Sequence, residues 1–132
     1  MHNKRILILD DDPSVGQTIQ WMTESLGFEA EFVTSAEAFF PKLAEWNPDI
    51  VTIDLVMPEL DGVEIMRMLA ERKSRARIVI LSGMGTRVLE AAQRSAQEHG
   101  LSIAGIVSKP VSREALHALL REESVPDQHS RR

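Results

Sequence analysis

Four acids, a serine and a lysine are spaced along this chain in a way that suits metal-assisted chemistry. Asp10, Asp11 and Asp12 follow the apolar run RILIL, Asp54 ends DIVTID, Ser82 follows RIVIL, and Ser108-Lys109-Pro110 follows IAGIV. A carboxylate at the end of a buried strand is costly unless something pairs with it. Magnesium takes oxygen ligands in near-octahedral geometry, commonly one or two carboxylates with water and a phosphate oxygen. Asp11 and Asp54, with Asp10 helping directly or through water, suit that role, and the backbone carbonyl of Val56 adds a ligand without charge. Lys109 would balance the remaining negative charge and meet an incoming phosphoryl group as a point charge. Ser82 would offer a hydroxyl, and Gly83 would let backbone approach closely. Each residue also has a plainer reading. Asp12 suits a helix N-cap at the positive end of a dipole, Lys109 a surface lysine and Ser82 a turn. What favours the chemical reading is that all of them fall at strand ends.

Those ends belong to a regular alternation. RILIL (5–9) is a continuous apolar run, as in a strand buried on both faces. Val15, Ile19, Met22 and Leu26 then form one helical face, with Pro13 suited to the first turn and Gly27 to the stop. EAEFV (29–33) reads as a more polar edge strand, and Ser35 caps a helix through about Trp46 that Pro41 should kink or delay. DIVTID (49–54), RIVIL (77–81) and IAGIV (103–107) are the remaining strands. Helices are predicted from about Gly62 to Lys73, from Val88 to about Glu98 before Gly100, and over 112–122 with Ser112 as cap. Five strands alternating with five helices predict an α/β fold, a doubly wound parallel sheet in the flavodoxin-like order 2-1-3-4-5. Ligands of such sheets bind beyond the carboxyl ends of the strands, where the acids, Ser82 and Lys109 converge.

Composition narrows the function classes. With 132 residues there is room for one core. The absence of cysteine rules out disulfides, thiolate zinc sites and a cysteine nucleophile. No apolar run approaches the roughly 20 residues of a membrane span, and the N-terminus lacks a signal peptide's features. A cytoplasmic protein is expected. The net charge of −5 argues against a dedicated nucleic-acid binder. EESVPDQHSRR (122–132) is polar and broken by Pro126, so the domain is expected over 1–121 with a disordered tail or linker stub after it.

The segments ILILDDDPSV, DIVTIDLVMPELDGVE, IVILSG and VSKP, in that order and spacing, resemble the receiver domain of two-component response regulators. The likeness covers about residues 4–121. It implies Asp54 as phosphoacceptor, Asp10 and Asp11 as the acids holding Mg2+, and Lys109 as the lysine contacting the phosphoryl group. It also implies Ser82 as the hydroxyl residue that moves on activation, and Pro110 as a proline often in cis linkage. The implied partners are a sensor histidine kinase or phosphotransfer protein, which phosphorylates the domain, and an output domain or partner protein. Receivers also often form a homodimer through the face of the fourth helix, fifth strand and fifth helix. Where the family often has an aromatic switch residue this chain has Ile106, so a switch region of Ser82, Gly83, Met84, Ile106 and Pro110 must work without it. Val56 and Met84 offer no group to orient water, so self-dephosphorylation should be slow, and no other catalysis is expected. Residues 82–110 further resemble receivers attached to cyclic-di-GMP phosphodiesterase domains, although this chain holds no such domain.

Two rival readings lead elsewhere. In a haloacid-dehalogenase-type phosphatase, Asp10 would be the nucleophile and Asp12 the general acid. That family needs a further acidic pair after the lysine, where KPVSREALHALL has only Glu114, and it leaves Asp54 unexplained. A degenerate receiver, used only for docking or dimerisation, would make no use of Asp54 at all.

Overall fold

The computed structural model describes residues 4–54, 62–82, 90, 93–94 and 97–124, without the side chains of 62, 63 and 122–124. The strands are β1 (Arg5–Leu9), β2 (Glu29–Val33), β3 (Ile50–Asp54), β4 (Arg77–Ser82) and β5 (Ser102–Ser108). The helices are α1 (Pro13–Glu24), α2 (Ala36–Trp46), α3 (Gly62–Glu71) and α4 (Arg113–Ser124). All five strands form one parallel sheet in the order β2-β1-β3-β4-β5, the predicted topology, with the more polar β2 at an edge. Of the helix predicted over 88–98, the described residues Glu90, Gln93, Arg94, Gln97 and Glu98 are helical. The rest of that stretch lies outside the described residues, as do 125–132 of the predicted tail.

Alternation of side chains in the buried strands divides the core in two. On one face Leu7, Leu9, Val51, Ile53, Ile78 and Ile80 meet Phe39 and Phe40 of α2 and Ile65 and Leu69 of α3. On the other, Ile6, Ile8, Ile50, Val79 and Leu81 meet Ile19 of α1 and Leu116 and Leu120 of α4. Burying each such side chain contributes about 1.5–3 kcal/mol, so the middle of the sheet is the rigid frame on which the strand ends are mounted.

The helix ends follow local chemistry. Asp12 accepts from the Ser14 N–H, Ser35 Oγ from Ala38 N and Ser112 Oγ from Ala115 N, three side-chain N-caps. Gly27, at φ 98°, closes α1, with Phe28 N donating to Thr23 O and Gly27 N to Glu24 O. α3 stops at Glu71, two residues before the predicted Lys73. Lys73 itself takes the left-handed conformation, and the same pair of closing bonds forms from Ser74 N to Leu69 O and Lys73 N to Ala70 O. Pro41 does not delay α2, which starts directly after its Ser35 cap and continues through the proline. The Glu37 carbonyl deprived of its usual donor belongs to an exposed residue, where water can serve it. At Gly16 α1 and β2 come close, since a Cβ there would lie 2.6 Å from the Phe32 ring.

One buried group is unpaid by any of this. Thr52, fully buried in the middle of β3, has a hydroxyl with no hydrogen-bond partner among the described residues. Such a group costs about 1–3 kcal/mol. Thr52→Val, which keeps the branched shape, is expected to stabilise the fold by about 1 kcal/mol, read as a higher urea midpoint with unchanged slope.

Candidate functional site

The parallel register carries the predicted residues to one rim. Leu9 of β1 is level with Ile53 of β3, so Asp10 and Asp54 emerge side by side immediately beyond the paired section. Asp54 is level with Leu81, which puts Ser82 one step further on, and Ser82 in turn is level with Ser108, next to Lys109. The backbone joins these ends as well: Lys109 N donates to Ser82 O at 2.9 Å, and Asp10 N to Val33 O at 3.2 Å.

Asp10 is 0% and Asp54 3% exposed, and Ser82 is buried beside them. Lys109 Nζ lies 2.9 Å from Asp10 Oδ2 and 3.0 Å from Asp54 Oδ2, so one ammonium bridges both buried acids. This is how Asp54 is accommodated at a strand end. Burial by itself would push the Lys109 pKa down, but the hydrogen bonds and charges of Asp10 and Asp54 outweigh it and hold the pKa above the ordinary lysine value. Asp10 is oriented from its other oxygen, where Oδ1 accepts from Asp12 N at 2.9 Å.

Asp11 completes the group. It is exposed, and one carboxylate oxygen from each of Asp10, Asp11 and Asp54 lies within 4.8 Å of the others. Three carboxylates against a single ammonium leave a surplus of negative charge in a cup of oxygen donors, with no sulfur or imidazole among them. That donor set fits a hard divalent cation such as Mg2+. Asp12 stands outside it. Its Oδ1 accepts from both Ser14 N and Ser14 Oγ, and those bonds lower its pKa from 3.8. A carboxylate held ionised as a helix cap is poorly suited to deliver a proton as the general acid of a phosphatase.

The family model of the response regulator receiver domain matches residues 6–121. The chain belongs to the receiver domain family. It is 37% identical over 98 residues to the chemotaxis protein CheY of Bacillus subtilis, covering 71% of this chain and 81% of that one. The CheY of Thermotoga maritima is 32% identical over 98 residues, covering 72% and 82%. With the alkaline phosphatase synthesis transcriptional regulatory protein PhoP of Bacillus subtilis the receiver shares 30% identity over 80 residues, 61% of its own length and 33% of PhoP. Among solved structures, a response regulator from Colwellia psychrerythraea superposes with a TM-score of 0.79 at 32% identity, over 92% of this chain and 96% of that one. The chain is thus a phosphoacceptor signalling module, and the haloacid-dehalogenase reading has no support.

Within the receiver, the predicted Lys109-Pro110 linkage is cis. Ile106 is half-buried, level with Ile80, and packs against the core face of α2 and α3. An aliphatic side chain in that place has no ring to swing between inward and outward positions. Val56, Gly83 and Met84 lie outside the described residues, so the carbonyl ligand and that part of the switch region carry no geometry here. Sequence reasoning assigned Lys109 to the phosphoryl group and to charge balance but missed its bridging of Asp10. The bridge depends on β1, β3 and β5 ending at one height, which no local motif reports.

No helix among the described residues is long and apolar enough to cross a membrane.

Proposed function

We propose that Asp54 is the phosphoacceptor of a Mg2+-dependent transfer from a phosphohistidine of a sensor histidine kinase or phosphotransfer protein. The observation that carries this is the Lys109 ammonium bridging buried Asp10 and Asp54, with the third acid, Asp11, open to solvent beside them. Asp10, Asp11 and Asp54, with the Val56 carbonyl, would hold Mg2+, whose contribution when bound is to neutralise charge on the phosphoryl oxygens. An Asp54 carboxylate oxygen attacks phosphorus in line, and the bond from phosphorus to the imidazole nitrogen breaks. The electron pair leaves with the imidazole, which departs neutral when its other nitrogen already carries a proton and otherwise becomes neutral when the released nitrogen gains one. Lys109 exchanges the Asp54 carboxylate for a phosphoryl oxygen, and the Ser82 hydroxyl donates to another. Rate enhancement is then chiefly positioning and charge stabilisation.

Phosphorylated Asp54 biases a two-state equilibrium of the domain toward an output domain or partner protein, within the cytoplasm. Ser82, Gly83, Met84 and Pro110 form the switch region, and Ile106 transmits the change by displacement of a packed aliphatic group instead of a ring flip.

The test is intact mass of the full chain after incubation with acetyl phosphate, with and without Mg2+. A single phosphoryl adduct that needs Mg2+ and decays slowly is the expected result. No adduct in either condition would favour the degenerate docking module, and loss within seconds would contradict the slow self-dephosphorylation.

A further inference from the structure

At the opposite end of the sheet, where β3 and β4 begin, a cavity of about 630 Å³ opens between α2 and the turn after α3. That volume lies in the range of small-molecule sites. Its floor is apolar, formed in part by Phe40 and Ala76, both nearly buried. Its rim carries three cations, Arg72, Lys73 and Arg75. Arg5, Lys42, Arg67 and Lys109 each pair with a carboxylate, whereas none of these three does so among the described residues.

The neighbouring groups sharpen the chemistry. The Arg72 guanidinium stands 4.5 Å from the centroid of the Phe40 ring, which holds it over the floor. Asp49, the acid on the cavity wall, has its Oδ2 engaged by Arg5 N at 2.9 Å. Asn47, at φ 55°, uses its backbone N–H to close α2, and its side-chain amide has no hydrogen-bond partner among the described residues. The negative ends of α2 and α3 attract cations in any case, which accounts for Arg72 and Lys73 next to α3. It does not account for Arg75, beyond the turn, nor for unpaired cations above an apolar floor in a chain of net charge −5.

We propose that this cavity binds a small organic anion with a planar apolar body and a phosphate, the chemical type of a nucleoside monophosphate. The flat body stacks on the exposed Arg72 guanidinium, whose other side rests on Phe40, the phosphate meets Lys73 and Arg75, and the Asn47 amide reads the edge of the ring. Being at the far end of the strands from the acids, the site works independently of Asp54.

The test is titration of the full chain with AMP, inorganic phosphate and a glutamate-rich peptide in the absence of Mg2+, followed by amide NMR and calorimetry. AMP is expected to shift the amides of Asn47, Asp49 and Ser74 to Ala76, and to bind at least about tenfold more tightly than phosphate. Arg75→Ala removes one charge-assisted contact without touching the packed Arg72 and should weaken AMP about tenfold. Asn47→Gly keeps the left-handed backbone and should weaken AMP while leaving phosphate unchanged. Asp54→Ala should change neither, which separates failure of this site from failure of the phosphoacceptor assignment. Equal affinity for phosphate and AMP, shifts confined to the acid end, no AMP binding at millimolar concentration, or binding of the peptide alone would each overturn the proposal. The last outcome would make the patch a surface for an acidic protein.

Discussion

Asp54→Ala is expected to eliminate the Mg2+-dependent phosphoryl adduct entirely while leaving the fold intact. The nucleophilic oxygen is gone, and no other acid can replace it at the same geometry. Asp10 is fully buried behind Lys109, Asp12 is committed to the cap of α1, and Asp11 is exposed on the rim. Unfolding will not explain the loss. Removing one of three crowded carboxylates relieves repulsion, and Lys109 keeps Asp10 as a partner, so the metal-free variant should be at least as stable as wild type. Intact mass and urea melts on the same samples check both halves. An adduct that survives Asp54→Ala but disappears in Asp10→Ala would return the phosphatase reading.

Lys109→Ala should injure both chemistry and stability. The ammonium is the cation shared by Asp10 and Asp54, at 2.9 and 3.0 Å, and without it two buried carboxylates face each other with no ammonium between them. Breaking a fully buried pair costs about 3–5 kcal/mol. Lys109 is itself partly exposed, so about 2 kcal/mol is the expected loss here, measured by urea unfolding without metal. Mg2+ should restore much of it, because a second cation then meets the same acids. Phosphorylation by acetyl phosphate should slow by about 100-fold or more even with saturating Mg2+, the usual scale for losing one preorganised charge at a transition state. The pH dependence has a definite sign. A raised lysine pKa contributes stability fully below the unfolded value of about 10.4 and loses it only as pH climbs through the still higher folded value. The Lys109 contribution should therefore hold across neutral pH and fade only in strong alkali. Equal stability of Lys109→Ala and wild type near neutrality would show that the bridge is not what accommodates the acids.

Much of this was legible in the residues alone, because it rests on local pattern. Mainly apolar runs marked β1, β3, β4 and β5, the period of Val15, Ile19, Met22 and Leu26 marked α1, and Asp12, Ser35 and Ser112 marked helix starts. Strand ends in a parallel sheet share one rim, so the placement of Asp10, Asp11, Asp54, Ser82 and Lys109 together followed from alternation and handedness. Whether Pro41 would delay the start of α2 was not legible, because that depends on whether solvent can reach one carbonyl, a property of the fold. The sequence placed the end of α3 at about Lys73, but not the left-handed turn that Lys73 makes after Glu71, because a left-handed lysine carries no signature in its type.

Tertiary structure decided the rest, since burial and distance depend on residues far apart in the chain. Only the packed sheet could show one ammonium bridging Asp10 and Asp54, 99 and 55 residues before it in sequence. The same holds at the other end of the sheet. The cations of ERKSRAR form no motif in the sequence, and only when α2 brings Phe40 and Asn47 against them do they line a cavity. Sequence spacing sets which residues share a strand end or a helix face. Which charges are left to pair is settled only when the elements close on one another and exclude water.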